Sequence, residues 1–365
     1  DTVYADLGSN QNNLIPISGL SSEDTVVAVE KPHSFLPVDY LLRATPKNIF
    51  ITGTPLNTGV SQLLHLASWM ESKPDNGKIR YPSFDQVKGW IDDPLTLSAL
   101  FQEHMHRSSH LALPNVQRVV LECDFEELPP EVKEDFEHSL STQKRDHQLQ
   151  QLGLEFKTVF PFVLPMLNKS QDAPVVISVP YIDEKKITGA GSTKGIADYL
   201  RTLGYYGTSN LDSTLTKFSV NQVLSQFRED DGTDIVVISP ALGESRDLHS
   251  TIRPTNLVIS LGASTVRSYE QAVRRVVRVG NQAETVHVVT PVPKNFPTKY
   301  SLLQRRHDVL QERLETATTI LDPVSFIQPE RSMTADALEE FLPEYFGIVN
   351  PQKREYFNLP DVPID

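Results

Sequence analysis

The chain has 365 residues, a formal net charge of −13, 39% hydrophobic residues and one cysteine, Cys123. That length is ample for two domains, and a lone cysteine excludes an internal disulfide framework and fits a reducing compartment. No apolar run approaches a membrane span, the N-terminus Asp1-Thr2-Val3-Tyr4 has no signal-peptide pattern, and the acidic balance works against strong non-specific binding to duplex DNA.

Residues 1–23 are polar and predict an irregular lead-in. Val26 to Val29 predicts a short strand, and Ile49 to Ile51 a buried one that Gly53 and Pro55 turn at its carboxyl end. An apolar helix over Gln62 to Trp69 follows, then an aromatic-rich stretch, Phe84 to Trp90. Gln117 to Glu122 predicts a strand and Pro130 to Leu140 a helix, before a polar hinge at Asn168 to Ala173. Beyond the hinge the pattern alternates. Strands are expected at Pro174 to Val179, Asp234 to Ser239, Asn256 to Leu261 and Thr285 to Thr290, all four in one mostly parallel sheet. Helices are expected at Gly195 to Leu203, ending at Gly204, and at Gln222 to Phe227. Tyr300 to Thr318 reads as a charged helix, and Ser332 to Asp365 as a helix capped by Thr334 or Asp336 with a proline-rich extended end. Acidic runs lie at Glu122 to Glu137 and Glu229 to Asp234, whereas Arg267, Arg274, Arg275, Arg278 and Lys294 form a basic cluster, with Lys299, Arg305 and Arg306 after it.

The segment from Tyr269 to Thr290 is the most informative. Gln271, Arg275 and Arg278 fall at i, i+4 and i+7, which on a helix places one amide and two guanidiniums on one face. Gly280 stops that helix. Arginines at such spacing usually form a solvated face. They also suit a phosphate, because a guanidinium offers forked donors and keeps its proton.

Gln-x-x-x-Arg-x-x-Arg-x-Gly-x-Gln after a buried strand resembles motif VI of superfamily II helicases, and most of all the Swi/Snf-type helicase-like ATPases. That family has glutamine directly after the glycine; here Asn281 stands between Gly280 and Gln282. Upstream, Lys-Asn-Ile-Phe-Ile-Thr-Gly-Thr-Pro-Leu-Asn at 47–57 resembles the family's motif III. The passage His106-Arg107, Leu111-Ala112-Leu113-Pro114 and the following strand are similar to the family in the same order, and the likeness covers roughly residues 24–310. It implies an α/β, RecA-like P-loop NTPase fold. Residues 24–168 would be the end of a first RecA-like domain with a helical insertion, 174–295 a complete second one, and 296–365 a bracing helix and tail. It further implies that Arg275 and Arg278 act as arginine fingers on ATP. Gln271, Gly280 and Gly243 would line the nucleotide cleft, with Gln271 also helping to couple it to DNA. Thr52, Gly53 and Thr54 would link nucleotide state to nucleic acid.

Several parts of the family pattern are missing or altered. No Gly-x-x-x-x-Gly-Lys-Ser/Thr loop occurs in the 365 residues. Where motif II has Asp-Glu-Ala-His, this chain has Glu30, Lys31, Pro32 and His33. Glu30 would be the magnesium-holding acid, and Lys31 is a poor base at neutral pH. In motif V, at Ala241 to Arg246, Gly243 is the one glycine and Glu244 adds an acid. Other chemistry is thin. His104, His106 and His110 lack a carboxylate or thiolate at ligand spacing, so no metal site is expected. Ser239 is not in a Gly-x-Ser-x-Gly elbow. Gly189 to Lys194 reads as a flexible loop rather than a phosphate loop.

The expectation is therefore the part of a helicase-like, ATP-dependent DNA translocase that lies downstream of its phosphate loop, serving chromatin remodelling or repair and inactive alone. ATP and magnesium are the cofactors of the intact machine and duplex DNA its partner, with protein partners besides. Its location would be nuclear in a eukaryote and cytoplasmic otherwise, not secreted. The start without methionine suggests a fragment. Two alternatives remain: a degenerate helicase-like regulatory or interaction module without ATP turnover, and a Rossmann-like glycosyltransferase.

Overall fold

The structure is a computed structural model that describes residues 3–5, 48–50, 60–75, 78–104, 113–142, 148–167, 173–180, 192–212, 215–229, 232–239, 247–250, 252–297, 301–321 and 331–342. The chain divides into two compact units, Asp1–Ser109 with Thr265–Arg267 and Gln311–Ile327, and His110–Ser264 with Ser268–Leu310 and Gln328–Asp365.

In the first unit, β1 (Val3–Ala5) pairs in parallel with β2 (Asn48–Phe50). The helix Val60–Glu71 buries Leu63, Leu64, Leu66, Ala67 and Trp69, and β3 (Lys73–Asp75) and β4 (Lys78–Arg80) form a small antiparallel ladder. The helix Phe84–Asp92 starts from a capping box. The Ser83 hydroxyl accepts from the Gln86 amide, and the Gln86 side chain accepts from the Ser83 amide. Only Val87 and Trp90 of it are buried. The helix Pro94–His104 follows.

The second unit is built on one seven-stranded sheet. Its strands are β5 (Asn115–Asp124), β6 (Val175–Ser178), β7 (Thr208–Leu211), β8 (Ile235–Ile238), β9 (Leu257–Ser260), β10 (Thr285–Lys294) and β11 (Arg331–Thr334). Their order is β11-β5-β10-β9-β6-β8-β7, and every pairing is parallel. Every residue of β6, β8 and β9 is buried, as a sheet covered on both faces requires. The four strands expected from the sequence lie in this sheet. The α/β class is therefore the one observed, with the mostly parallel sheet that a RecA-like fold requires.

One face of the sheet, through Val175, Ile177, Ile235, Val237, Leu257 and Ile259, joins a core with Phe156, Val159, Phe160 and Val163 of the helix Gln148–Leu167. That helix is absent from the sequence reading because Pro161 and Pro165 lie inside it. Its burial outweighs two interior prolines. The sequence also set the division near residue 168. In the structure β5 pairs with β10 over ten residues, so the strand at 115–124 belongs to the same sheet as 174–295. A pairing between segments 170 residues apart leaves no local pattern. The short strands β7 and β11 were not expected either. The tail helix Ala335–Phe341 is capped by Thr334, as anticipated.

The helix Leu302–Leu321 is anchored at its start by a buried carboxyl group. Glu155 is fully buried and accepts from the Ser301 hydroxyl at 2.8 Å, the backbone amides of Leu302 at 2.9 Å and Leu303 at 2.8 Å, and the Gln151 amide at 2.9 Å. These are donors that a helix N-terminus otherwise leaves open. Beside them Gly262 has φ +65, and a Cβ there would meet Leu303 Cδ2 at 2.9 Å. Glu155→Ala is expected to cost about 2–4 kcal/mol, since it orphans several buried donors at once; urea denaturation measures the loss, and Glu155→Gln should recover part of it.

Candidate functional site

The two edges of the large sheet differ in chemistry. Toward the carboxyl ends, Ser178 of β6 pairs in register with Ser260 of β9, and Thr290 of β10 lies one residue past the Val289–Ile259 pair. All three are buried, and among the described residues the hydroxyls of Ser260 and Thr290 have no hydrogen-bond partner. Further along the same edge, Lys294 at the end of β10 pairs with Glu122 of β5, beside Asp124. Connections after β6 run toward one side of the sheet and those after β9 toward the other, so β6 and β9 flank a topological switch point.

The arginines of the expected site gather at the opposite edge, where the helices end before the next strands begin. The helix Val266–Val276 precedes β10 and carries Gln271, half-buried, and Arg275, 4% exposed. It ends at Val276, four residues before Gly280, so Arg278 lies in the turn beyond rather than on the helical face that the spacing suggested. The turn is tight: the Arg278 amide donates to the Val276 carbonyl, and the Asn281 amide to the Arg278 carbonyl. Gly280 has φ +96, a conformation that favours glycine. Asn281, the departure from the family pattern, has a structural task. Its side-chain nitrogen donates to the carbonyls of Thr255 at 2.8 Å and Val276 at 3.0 Å, and its oxygen accepts from the amides of Thr255 and Ala283. One amide thus caps the helix and ties it to the approach of β9.

Beside this turn runs the segment Asp247 to Ser250. The Leu248 amide donates to the Arg275 carbonyl at 2.8 Å, and Arg228, near the end of the helix Lys217–Glu229, donates to the Asp247 carbonyl at 2.7 Å. The Ser250 hydroxyl donates to the Arg228 carbonyl. The Arg278 Nε lies 3.1 Å from Asp247 Oδ1, with both side chains 45% exposed. His249 is buried, and its Nδ1 has no hydrogen-bond partner among the described residues. Arg253 and Asp234 pair at 3.1 Å on the same edge. Arg278 thus pairs with the Asp247 carboxylate, Arg228 donates to the Asp247 backbone, and Arg275 is tied to the same segment through its own carbonyl. Burial brings Arg275 down to about 10, and the charge of Arg278 adds to the effect; it remains a cation at neutral pH. His249 is lowered chiefly by burial. Asp247 opposes the shift, and Arg228 and Arg278 reinforce it.

A buried ion pair fixes the helix from the sheet side. Arg118 of β5 donates from Nη2 to Glu270 Oε1 at 2.9 Å with both side chains almost fully buried, and Arg274 Nε lies 3.3 Å from Glu270 Oε2. The Arg118 guanidinium also lies 5.3 Å from the centre of the Tyr269 ring. Glu270 is adjacent to Gln271, so the pair sets the rotation of the helix that carries the expected site. Sequence reasoning missed Arg118, Glu270, Arg228, Asp247 and His249. Only a buried acid beside Gln271 could have hinted at the pair.

Of the expected site residues, Arg275, Arg278, Gln271 and Gly280 come together on this edge. Glu30, Lys31, Thr52, Gly53, Thr54 and Gly243 lie outside the described residues, as does any facing of Arg275 and Arg278 toward the Thr52 to Pro55 turn. Among the described residues no group of three or more His, Cys, Asp or Glu side chains could hold a metal, and no helix is long and apolar enough to cross a membrane. Ser192 caps the helix Thr193–Thr202 through the Gly195 amide, and Thr193 donates to Asp212 at 2.7 Å.

No protein-family model and no curated protein matches the chain. Similar solved structures include a variant C-terminal domain of S. cerevisiae Dbp5 bound to Gle1 and IP6, at 10% identity and a TM-score of 0.37, covering 63% of this chain and 98% of that one. The C-terminal part of the Fun30 ATPase domain aligns at 16% identity and a TM-score of 0.32, over 59% of this chain and 61% of that one. S. cerevisiae Dbp5 bound to RNA and ADP BeF3 aligns at 10% identity and a TM-score of 0.39, over 79% and 59%.

Two outcomes test this geometry. Glu270→Ala removes the carboxylate to which the buried Arg118 guanidinium donates and is expected to cost about 3–5 kcal/mol, whereas replacing both partners by apolar residues should cost much less; chemical denaturation of the single and double variants separates the two cases. His249, held below its ordinary range, binds a proton more readily in the unfolded chain. Stability attributable to it is therefore unaffected above the ordinary histidine range, near pH 6.5, and falls as pH drops below it. His249→Gln should flatten the acid side of a melting-temperature profile relative to the parent; parallel profiles would contradict the assignment.

Proposed function

We propose that this chain is the part of a helicase-like ATPase that carries the arginine side of a nucleotide cleft. The single observation that carries the reading is the convergence of Arg275, Arg278 and Arg228 at one edge of a parallel α/β sheet, on the segment that resembles motif VI. Guanidiniums that stay charged and present forked donors fit the oxygens of a triphosphate. When bound, ATP would supply the γ-phosphoryl group whose transfer such cations assist. Arg275, buried in low dielectric, would set the local field, and Arg278, on the half-exposed turn, would make contact. Gln271 and Gly280 shape that surface. Glu30 would be the acid nearest to magnesium chemistry, and no step is routed through it.

In this reading duplex DNA is the substrate along which the intact machine moves. Thr52, Gly53 and Thr54 would couple nucleotide state to it, in chromatin remodelling or repair and, in a eukaryote, in the nucleus. The regulatory module without turnover is the competing reading, favoured by Lys31 in the motif II segment and by the pairing of Arg278 with Asp247.

The chain by itself is expected to release phosphate from ATP at background rates with or without duplex DNA, because arginine fingers add their factor, on the order of 10³ to 10⁵, only where the phosphates are already held. It should nevertheless bind a fluorescent ATP analogue, and Arg278→Ala should weaken that binding about tenfold, the scale of one charge-assisted contact. Binding unchanged in an Arg275→Ala, Arg278→Ala double variant that melts as a folded protein would overturn the phosphate reading. DNA-stimulated turnover lost on Arg275→Ala would overturn the expected inactivity.

A further inference from the structure

We draw no further inference here: the strongest candidate, the row of buried hydroxyls of Ser178, Ser260 and Thr290 across β6, β9 and β10, carries nothing because, among the described residues, nothing in the structure shows a cavity or a helix end into which the unpartnered hydroxyls of Ser260 and Thr290 open.

Discussion

A parallel sheet buried on both faces is the constraint from which the rest of the second unit follows. Its central strands β6, β8 and β9 contain no exposed residue, so each must be followed by a crossover that lays a helix on the sheet. Every crossover puts a helix end at the amino edge of the next strand. The carboxyl ends of the helices Lys217–Glu229 and Val266–Val276 meet there, and their last carbonyls attract cations. Arg228, Arg274, Arg275 and Arg278 all sit at those ends. The basic character of this edge is a consequence of the topology as well as a property of a motif.

A molecule of net charge −13 can hold such a cluster because the charges are segregated. Acidic side chains are concentrated in the turn and helix after β5, whereas the edge before β9 and β10 gathers the guanidiniums. Within about 8–10 Å, roughly the Debye length at physiological ionic strength, local charge decides what an ion meets, and the overall balance acts only on slower approach. Burial at this edge matters as much as sign. Glu270 is held between Arg118 and Arg274, which leaves the remaining arginines of the segment turned to other tasks.

Local patterns made the strands of the second unit legible. Pro174 to Val179, Asp234 to Ser239 and Asn256 to Leu261 each contain the observed strand within one or two residues, because short β-branched runs bounded by turn residues admit few other structures. The helix Gln148–Leu167 was hidden by Pro161 and Pro165, whose local cost is outweighed by the burial of Phe156, Phe160 and Val163, a tertiary effect. The allocation of β5 to the large sheet, and the pairing of Arg118 with Glu270 152 residues later, depend on contacts that no window of sequence contains. At the candidate site the spacing of Gln271, Arg275 and Arg278 was visible. The early end of the helix was not, because it depends on Asn281 reaching back to Val276 and across to Thr255.

That early end changes what the two arginines can do. Had the helix run to Gly280, Arg275 and Arg278 would be successive members of one face with similar surroundings. Because it stops at Val276, Arg275 remains in the packed layer, desolvated and brought down to about 10, while Arg278 stands in a turn with nearly half its side chain in solvent. A guanidinium in low dielectric exerts a stronger field on a neighbouring anion than one in water, but moves little. One in a turn is screened, and can exchange partners. The pattern Arg-x-x-Arg thus yields a fixed charge and an exchangeable one, and the side chain that separates these roles is Asn281, where the sequence departs from the family it resembles.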